Sequence, residues 1–240
     1  MRYKIDLSYD GTDFHGWQTQ PNAVTVQQLI NEKLHLIFQE KINSMGSGRT
    51  DTGVHARKQV MHVDITKKSP DNLLFRLNKM LPDSISINKI EEVNDEFHAR
   101  YNAKSRAYEY LIHRSKTPFL ERYSYKFAKE LDLEQMNKAC QLMMKHTDFE
   151  CFSKVHTEVD NFNCTITEAY WEEGGGQIRF YIKANRFLRN MVRAIVGTLL
   201  EVGEGRLDLQ DFEAIIDSKN RKKAGRSVPA NGLYLLEVNY

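Results

Sequence analysis

RYKIDLSY, residues 2–9, alternates without a break: Tyr3, Ile5, Leu7 and Tyr9 fall on one side of an extended chain, and Arg2, Lys4, Asp6 and Ser8 on the other. Successive side chains of a strand point to opposite faces, so the pattern predicts a strand with one face on a core. Outward from it, Thr25 and Gln28 make a capping-box pattern, after which Val26, Leu29, Ile30, Leu34 and Ile37 recur with helical period. Met61, Val63 and Ile65 alternate as a strand. Ser69 and Pro70 open a second helix with Leu73, Leu74, Leu77 and Met80 or Leu81 inward, and Ile85, Ile87 and Ile90 suggest another strand. The second half repeats these ingredients: a strand over 107–113, a helix over about 132–145, a hairpin at Gly174-Gly175-Gly176, a long helix over 187–202, a shorter one over 208–217 and a closing strand over 233–238. Strands and helices that alternate irregularly, with a hairpin among them, predict an α+β fold. Helices pack on one face of a mainly antiparallel sheet, the other face is free, and two halves, 1–103 and 104–240, leave a cleft where ligands bind.

The 240 residues are 41% hydrophobic and 28% charged, the composition of an ordinary globular chain. No apolar stretch approaches the roughly 20 residues that span a bilayer, and the chain begins with a strand pattern rather than a signal peptide, so the expectation is a cytoplasmic protein with no membrane contact. Cys140, Cys151 and Cys164 are widely spaced without a C-x-x-C pair and read as reduced structural thiols. The net charge of +2 conceals an uneven distribution. Over 97–126, Arg100, Lys104, Arg106, Arg114, Lys116, Arg122 and Lys126 stand against Glu109 and Glu121, interleaved with tyrosines and phenylalanines, and 219–226 adds Lys219, Arg221, Lys222, Lys223 and Arg226 with no acid. One such run is ordinarily a solvated face; two, one of them rich in aromatics, favour a polyanion with stackable bases.

The segment MGSGRTDTGVHAR, 45–57, offers almost nothing to a core. Its glycines let backbone approach a ligand closely, and Asp51 is presented rather than buried; the plainer reading is a turn with a surface pair between Arg49 and Asp51. In NRFLRNMVRAIVG, 185–197, Arg186, Arg189 and Arg193 recur at i, i+3 and i+7, so a helix sets them along one stripe. They either face water or hold a carboxylate from another segment, with Asp51 as the partner to test, because a guanidinium fork suits a bidentate ion pair and keeps an acid ionised. In SRAYEYLIHR, 105–114, Tyr108 and Tyr110 share a strand face; either is core, or one stacks on an extruded base beside Arg106 and Arg114. His15, His55, His62 and His98 are scattered without metal-ligand spacing, so no metal is expected, and P-loop, G-x-G-x-x-G and G-x-S-x-G patterns are absent.

The residues now reach a known family. The chain resembles the tRNA pseudouridine synthase A family along its length, through DGTDFHGWQTQP at 10–21, TVQQLINEKL at 25–34, GSGRTDTGVHA at 46–56, FHARYNAKSRAYEYLI at 97–112, FLRNMVRAIVG at 187–197 and GLYLLEV at 232–238. The resemblance implies two related α+β halves whose sheets join into one extended sheet. It also implies isomerisation of uridine to pseudouridine at positions 38 to 40 of the tRNA anticodon stem-loop by a homodimer without a cofactor. It implies Asp51 as the catalytic aspartate, Arg49 as the residue that displaces the target nucleotide, Tyr108 as the tyrosine on the extruded base, Arg193 as the basic partner of the aspartate and Leu233 as the apolar position beside the pocket. Where many relatives have an arginine before Thr-Ile, this chain has Cys164, so no RNA contact is carried there; 152–161 reads as a polar loop. The rival reading is a non-catalytic RNA-binding module of similar fold that uses stacking and basic surface alone.

Overall fold

Residues 2–9 form the strand their alternation predicts, with Tyr3, Ile5, Leu7 and Tyr9 buried and the intervening side chains half-buried. The structure, a computed structural model, describes residues 1–155 and 161–240. In chain order its elements are β1 (Arg2–Tyr9), α1 (Val26–Phe38), β2 (Met45–Gly46), β3 (His55–Asp64), α2 (Leu73–Met80), β4 (Ile85–Val93), β5 (Ser105–His113), β6 (Tyr125–Lys126), α3 (Leu133–Met143), β7 (Ile166–Gly174), β8 (Gln177–Ala184), α4 (Met191–Gly203), α5 (Leu209–Asp217) and β9 (Leu233–Asn239). They gather into two compact units: Met1–Lys104 with Tyr234–Tyr240, and Ser105–Leu233. Each combines helices with a largely antiparallel sheet, the α+β class expected.

In the first unit the strand order is β4-β1-β3-β9, with β2 beside β3. Ile85 and Ile87 are buried but Ile90 breaks their parity, because β4 carries one extra residue there: Leu7 pairs with Ile87 and Asp6 with Lys89, a bulge that resets the faces. Helix α1 is capped by Thr25, whose side chain accepts from the Gln28 N–H at 3.4 Å. The box is half made, since the Gln28 amide donates to Glu32 at 2.9 Å instead of returning to the cap. Its buried stripe is Val26, Ile30, Leu34 and Phe38, with Leu29 and Ile37 half-buried at its margin. Helix α2 begins at Leu73, later than Ser69-Pro70 suggested; Leu73, Leu77 and Leu81 are buried while Leu74 points outward.

The expectation of a free sheet face fails in this unit. Val60, Met61, His62 and Val63 of β3 are all buried, so the strand is covered on both sides. The cover is residues 97–102 with the C-terminal Tyr240. The Ala99 N–H donates to His62 Nδ1 at 3.1 Å, the Tyr240 hydroxyl donates to the Ala99 carbonyl at 2.7 Å, and the Lys4 ammonium lies over the Phe97 and Tyr240 rings.

In the second unit β5, β8 and β7 pair antiparallel in that order and β6 runs parallel beside β5. Gly175 and Gly176, at φ 60° and 77°, make the two-residue hairpin turn between β7 and β8. Tyr108, Tyr110 and Ile112 lie opposite Ile182, Phe180 and Ile178, the apolar face of the sheet. Asp132 and Asp208 cap α3 and α5. Of the polar loop expected over 152–161, Phe152 and Ser153 are instead buried, with Phe152 packed between Phe149 and Phe212, and 156–160 lie outside the described residues. An aromatic at the edge of a polar run obeys the core before the loop. The three cysteines are buried free thiols, and burial pushes Cys151 up to about 12 and Cys164 up to about 11, as inert structural thiols require. Among the described residues no helix is long and apolar enough to cross a membrane.

Candidate active site

Asp51 sits at the head of the loop between β2 and β3 in the first unit, half-buried, next to an exposed Arg49. What fixes it is a second loop, residues 10–17, pinned to it on both sides of the aspartate. The Trp17 N–H donates to the Thr50 carbonyl at 3.2 Å, and the Gly53 N–H donates to the Phe14 carbonyl at 3.2 Å. The Tyr9 and Thr50 hydroxyls are 2.8 Å apart, and the Val54 N–H closes the turn onto the Asp51 carbonyl at 3.1 Å. The approach is so close that a Cβ at Gly16, where φ is +84°, would stand 2.4 Å from the Thr50 oxygen. The base of the loop is held by buried Gln59, which receives the Ser47 hydroxyl and donates to the Gly48 carbonyl. A carboxylate on backbone tethered on either side, at Thr50 and at Gly53, is pre-positioned, which a reacting group requires. The sequence reading missed this partner loop. Its signal was Gly11 and Gly16 around Phe14 in a stretch with no helical or strand period.

Beside this loop the ring of Tyr234 stacks on buried His55 at 4.6 Å, and the exposed Arg57 guanidinium lies over Tyr234 at 4.9 Å. His55 Nδ1 stands 3.1 Å from the Gly11 nitrogen and 3.1 Å from Asp10 Oδ1.

The second unit carries Tyr108, Arg193 and Leu233. The two candidate tyrosines separate clearly. Tyr110 is fully buried, its hydroxyl donates to the Pro229 carbonyl at 2.8 Å, and burial drives its pKa far above the usual phenol value. Tyr108 is half-buried, on the same face nearer the strand start, with its ring edge-on to Phe187 at 5.1 Å. Phe187, half-buried itself, is an aromatic wall that the sequence reading quoted only as part of a motif.

The stripe of three arginines is not formed. Helix α4 begins at Met191, because Asn190 takes a left-handed conformation at φ 64°, and Arg186 and Arg189 precede it on irregular backbone. Only Arg193 is helical, half-buried in the first turn, with Nε donating to the Val228 carbonyl at 2.7 Å. Leu233 is buried at the start of β9. The basic runs also divide. Lys219 pairs with Asp148 at 2.7 Å and Arg221 turns inward on Gly225 and Ser227, while Lys222, Lys223 and Arg226 are exposed.

Among the described residues no group of histidine, cysteine and acidic side chains has the arrangement of a metal site. The chemistry on offer is therefore a tethered carboxylate in one unit, and in the other a half-exposed tyrosine and an arginine of fixed direction.

Comparison with known proteins shows the family. A family model described as tRNA pseudouridine synthase matches residues 7–102 and 139–240, which include Asp51 and Arg193. The chain is 47% identical to tRNA pseudouridine synthase A of Parabacteroides distasonis, covering 100% of this chain and 96% of that protein. It is 48% identical to the enzyme of that name from Porphyromonas gingivalis, with 100% and 97% covered. With that of Acetivibrio thermocellus it shares 42% identity over 99% and 98%. Matches of this depth over both units establish that the chain belongs to the tRNA pseudouridine synthase family.

Proposed function

We propose that this chain is an isomerase that converts uridine to pseudouridine in tRNA, at positions 38 to 40 of the anticodon stem-loop, with Asp51 as its catalytic carboxylate. Membership of the family supports the reaction. The observation that carries the role of Asp51 is its loop: backbone fastened at Thr50 and Gly53, side chain left half-exposed. The reaction breaks the C1′–N1 bond, turns the uracil and joins C1′ to C5; the C5 proton is lost and N1 gains one, so the product is an isomer. Because base and sugar both stay in the product, the net change requires no redox equivalents and no cofactor. Electron deficiency develops at the sugar, and an ionised carboxylate beside it acts as nucleophile at C1′, as base at C2′ or as electrostatic stabiliser.

In this reading Arg193 is the counter-charge of Asp51 and Tyr108 stacks on the detached uracil while it turns. Arg49 takes the place vacated in the RNA helix, and Leu233 supplies apolar wall. The enzyme acts in the cytoplasm as a homodimer. Exposed Lys222, Lys223 and Arg226 add attraction for the phosphate backbone, so affinity falls with salt.

Replacing Asp51 by Asn tests the reading against a module that only binds RNA. The variant is expected to bind an unmodified tRNA transcript within about threefold of the parent while pseudouridine formation drops by roughly three orders of magnitude or more. Pseudouridine is mapped by position on the transcript. Normal turnover by the variant removes Asp51 from the chemistry, and a parent chain that binds without turnover favours the binding module.

A further inference from the structure

We propose that Thr198 is a positioning residue for Arg193, acting through the backbone of residues 225–228; the inference rests on the role given to Arg193 above. Thr198 is fully buried in α4, and its hydroxyl is used twice, donating to the Ala194 carbonyl at 2.8 Å and accepting the Gly225 N–H at 2.9 Å. That second bond draws an irregular segment onto the helix. The contact is backbone on backbone: a Cβ at Gly197 would lie 1.7 Å from the Arg226 carbonyl oxygen. Three residues on from Gly225, Val228 returns to Arg193 with both its backbone groups. Its N–H donates to the Arg193 carbonyl at 3.1 Å and its carbonyl accepts from Arg193 Nε at 2.7 Å.

The segment is bracketed from its other side as well. Arg221 donates to the Ala224 and Gly225 carbonyls at 3.3 and 3.0 Å and to the Ser227 hydroxyl at 2.8 Å, and the Asn190 amide reaches the same hydroxyl. A guanidinium is planar, so committing Nε to a fixed carbonyl sets the direction of its two Nη groups. Without the Thr198 hydroxyl, the buried Gly225 N–H has lost its partner, and the segment must move to find another. The Val228 carbonyl moves with it, and so does the plane of Arg193.

The full-length chain is assayed with a tRNA transcript carrying tritium at uridine C5, which pseudouridine formation releases, as Thr198→Val, Thr198→Ser and Arg193→Leu. Valine keeps the volume and removes the hydroxyl; serine keeps the hydroxyl. Thr198→Val is expected to lower the maximal rate about tenfold with KM for tRNA within twofold, at a temperature where melting curves show it folded. Thr198→Ser is expected within twofold of the parent in both constants. A wild-type maximal rate for Thr198→Val overturns the inference, as does a loss in Thr198→Ser as large as that in Thr198→Val. Arg193→Leu separates the two levels: if it turns over normally, the role given to Arg193 falls and this inference with it. If it is inactive while Thr198→Val is normal, only the positioning falls.

Discussion

Tyr108 and Tyr110 are two residues apart on one strand face, yet one is sealed in the core with its hydroxyl on Pro229 and the other is half-exposed against Phe187. Stacking of a base on an aromatic ring is worth about 1–3 kcal/mol, and phenylalanine offers nearly the same ring as tyrosine. Tyr108→Phe is therefore expected to keep turnover within about threefold and Tyr108→Ala to lose about 10- to 100-fold, read from initial rates on a tRNA transcript. Equal losses in the two variants assign the work to the hydroxyl instead. Period-two alternation puts both tyrosines on one face and stops there, so no local pattern chooses between them. The half-exposed position of Asp51 is legible for the opposite reason: an acid among glycines has no core to belong to, and composition alone marks it as presented.

At the scale of elements, apolar periodicity located the helices and strands and misplaced some of their ends. Leu188 is buried and fits the period of α4, so the pattern runs on past the point where Asn190 breaks the helix, and the arginine stripe was an artefact of that extension. The clamp between residues 10–17 and the Asp51 loop left no periodic trace, because it is made of backbone hydrogen bonds and missing side chains. It makes a paired prediction. At Gly16 a methyl group meets the Thr50 carbonyl and the backbone has positive φ, whereas at Gly48 it meets nothing within 4 Å. Gly16→Ala is expected to lower the melting temperature by about 4–8 °C. Its maximal rate should fall more than tenfold while tRNA affinity stays within about threefold, because the displaced backbone carries Asp51. Gly48→Ala is expected to melt within about 1 °C of the parent. Melting curves and single-turnover rates on both variants decide it; matching behaviour at the two glycines means that the clamp does not hold the aspartate.

For the whole molecule, the two units are expected to respond differently to acid, because the strap over the first unit's sheet is fastened by histidine. Burial, followed by the charges of Arg2 and His98, pushes His62 down to about 4 against a smaller opposing effect of Asp64, and its Nδ1 must stay unprotonated to accept the Ala99 N–H. His98 is lowered too, chiefly by burial, and its ring accepts from the Arg100 and Tyr101 backbone. An unfolded histidine takes its proton near pH 6.5, so stability is whole above that value and drains away as pH falls toward about 4, by an amount on the order of 2 kcal/mol. Hydrogen bonds from Lys4 and Lys89 hold Glu91 at about 2, and that from Arg2 holds Asp64 low, so these carboxylates remain ionised through the same window and do not offset the loss. The chain has two tryptophans, Trp17 in the first unit and Trp171 in the second, both buried, so single-tryptophan variants report each unit separately. Between pH 7 and 4.5 the urea midpoint seen by Trp17 is expected to fall further than that seen by Trp171. His62→Asn, which keeps an acceptor for the Ala99 N–H but does not titrate, should flatten the Trp17 curve. A Trp17 midpoint indifferent to pH, or one as steep with asparagine in place, would mean that the strap is not fastened by the neutral imidazole.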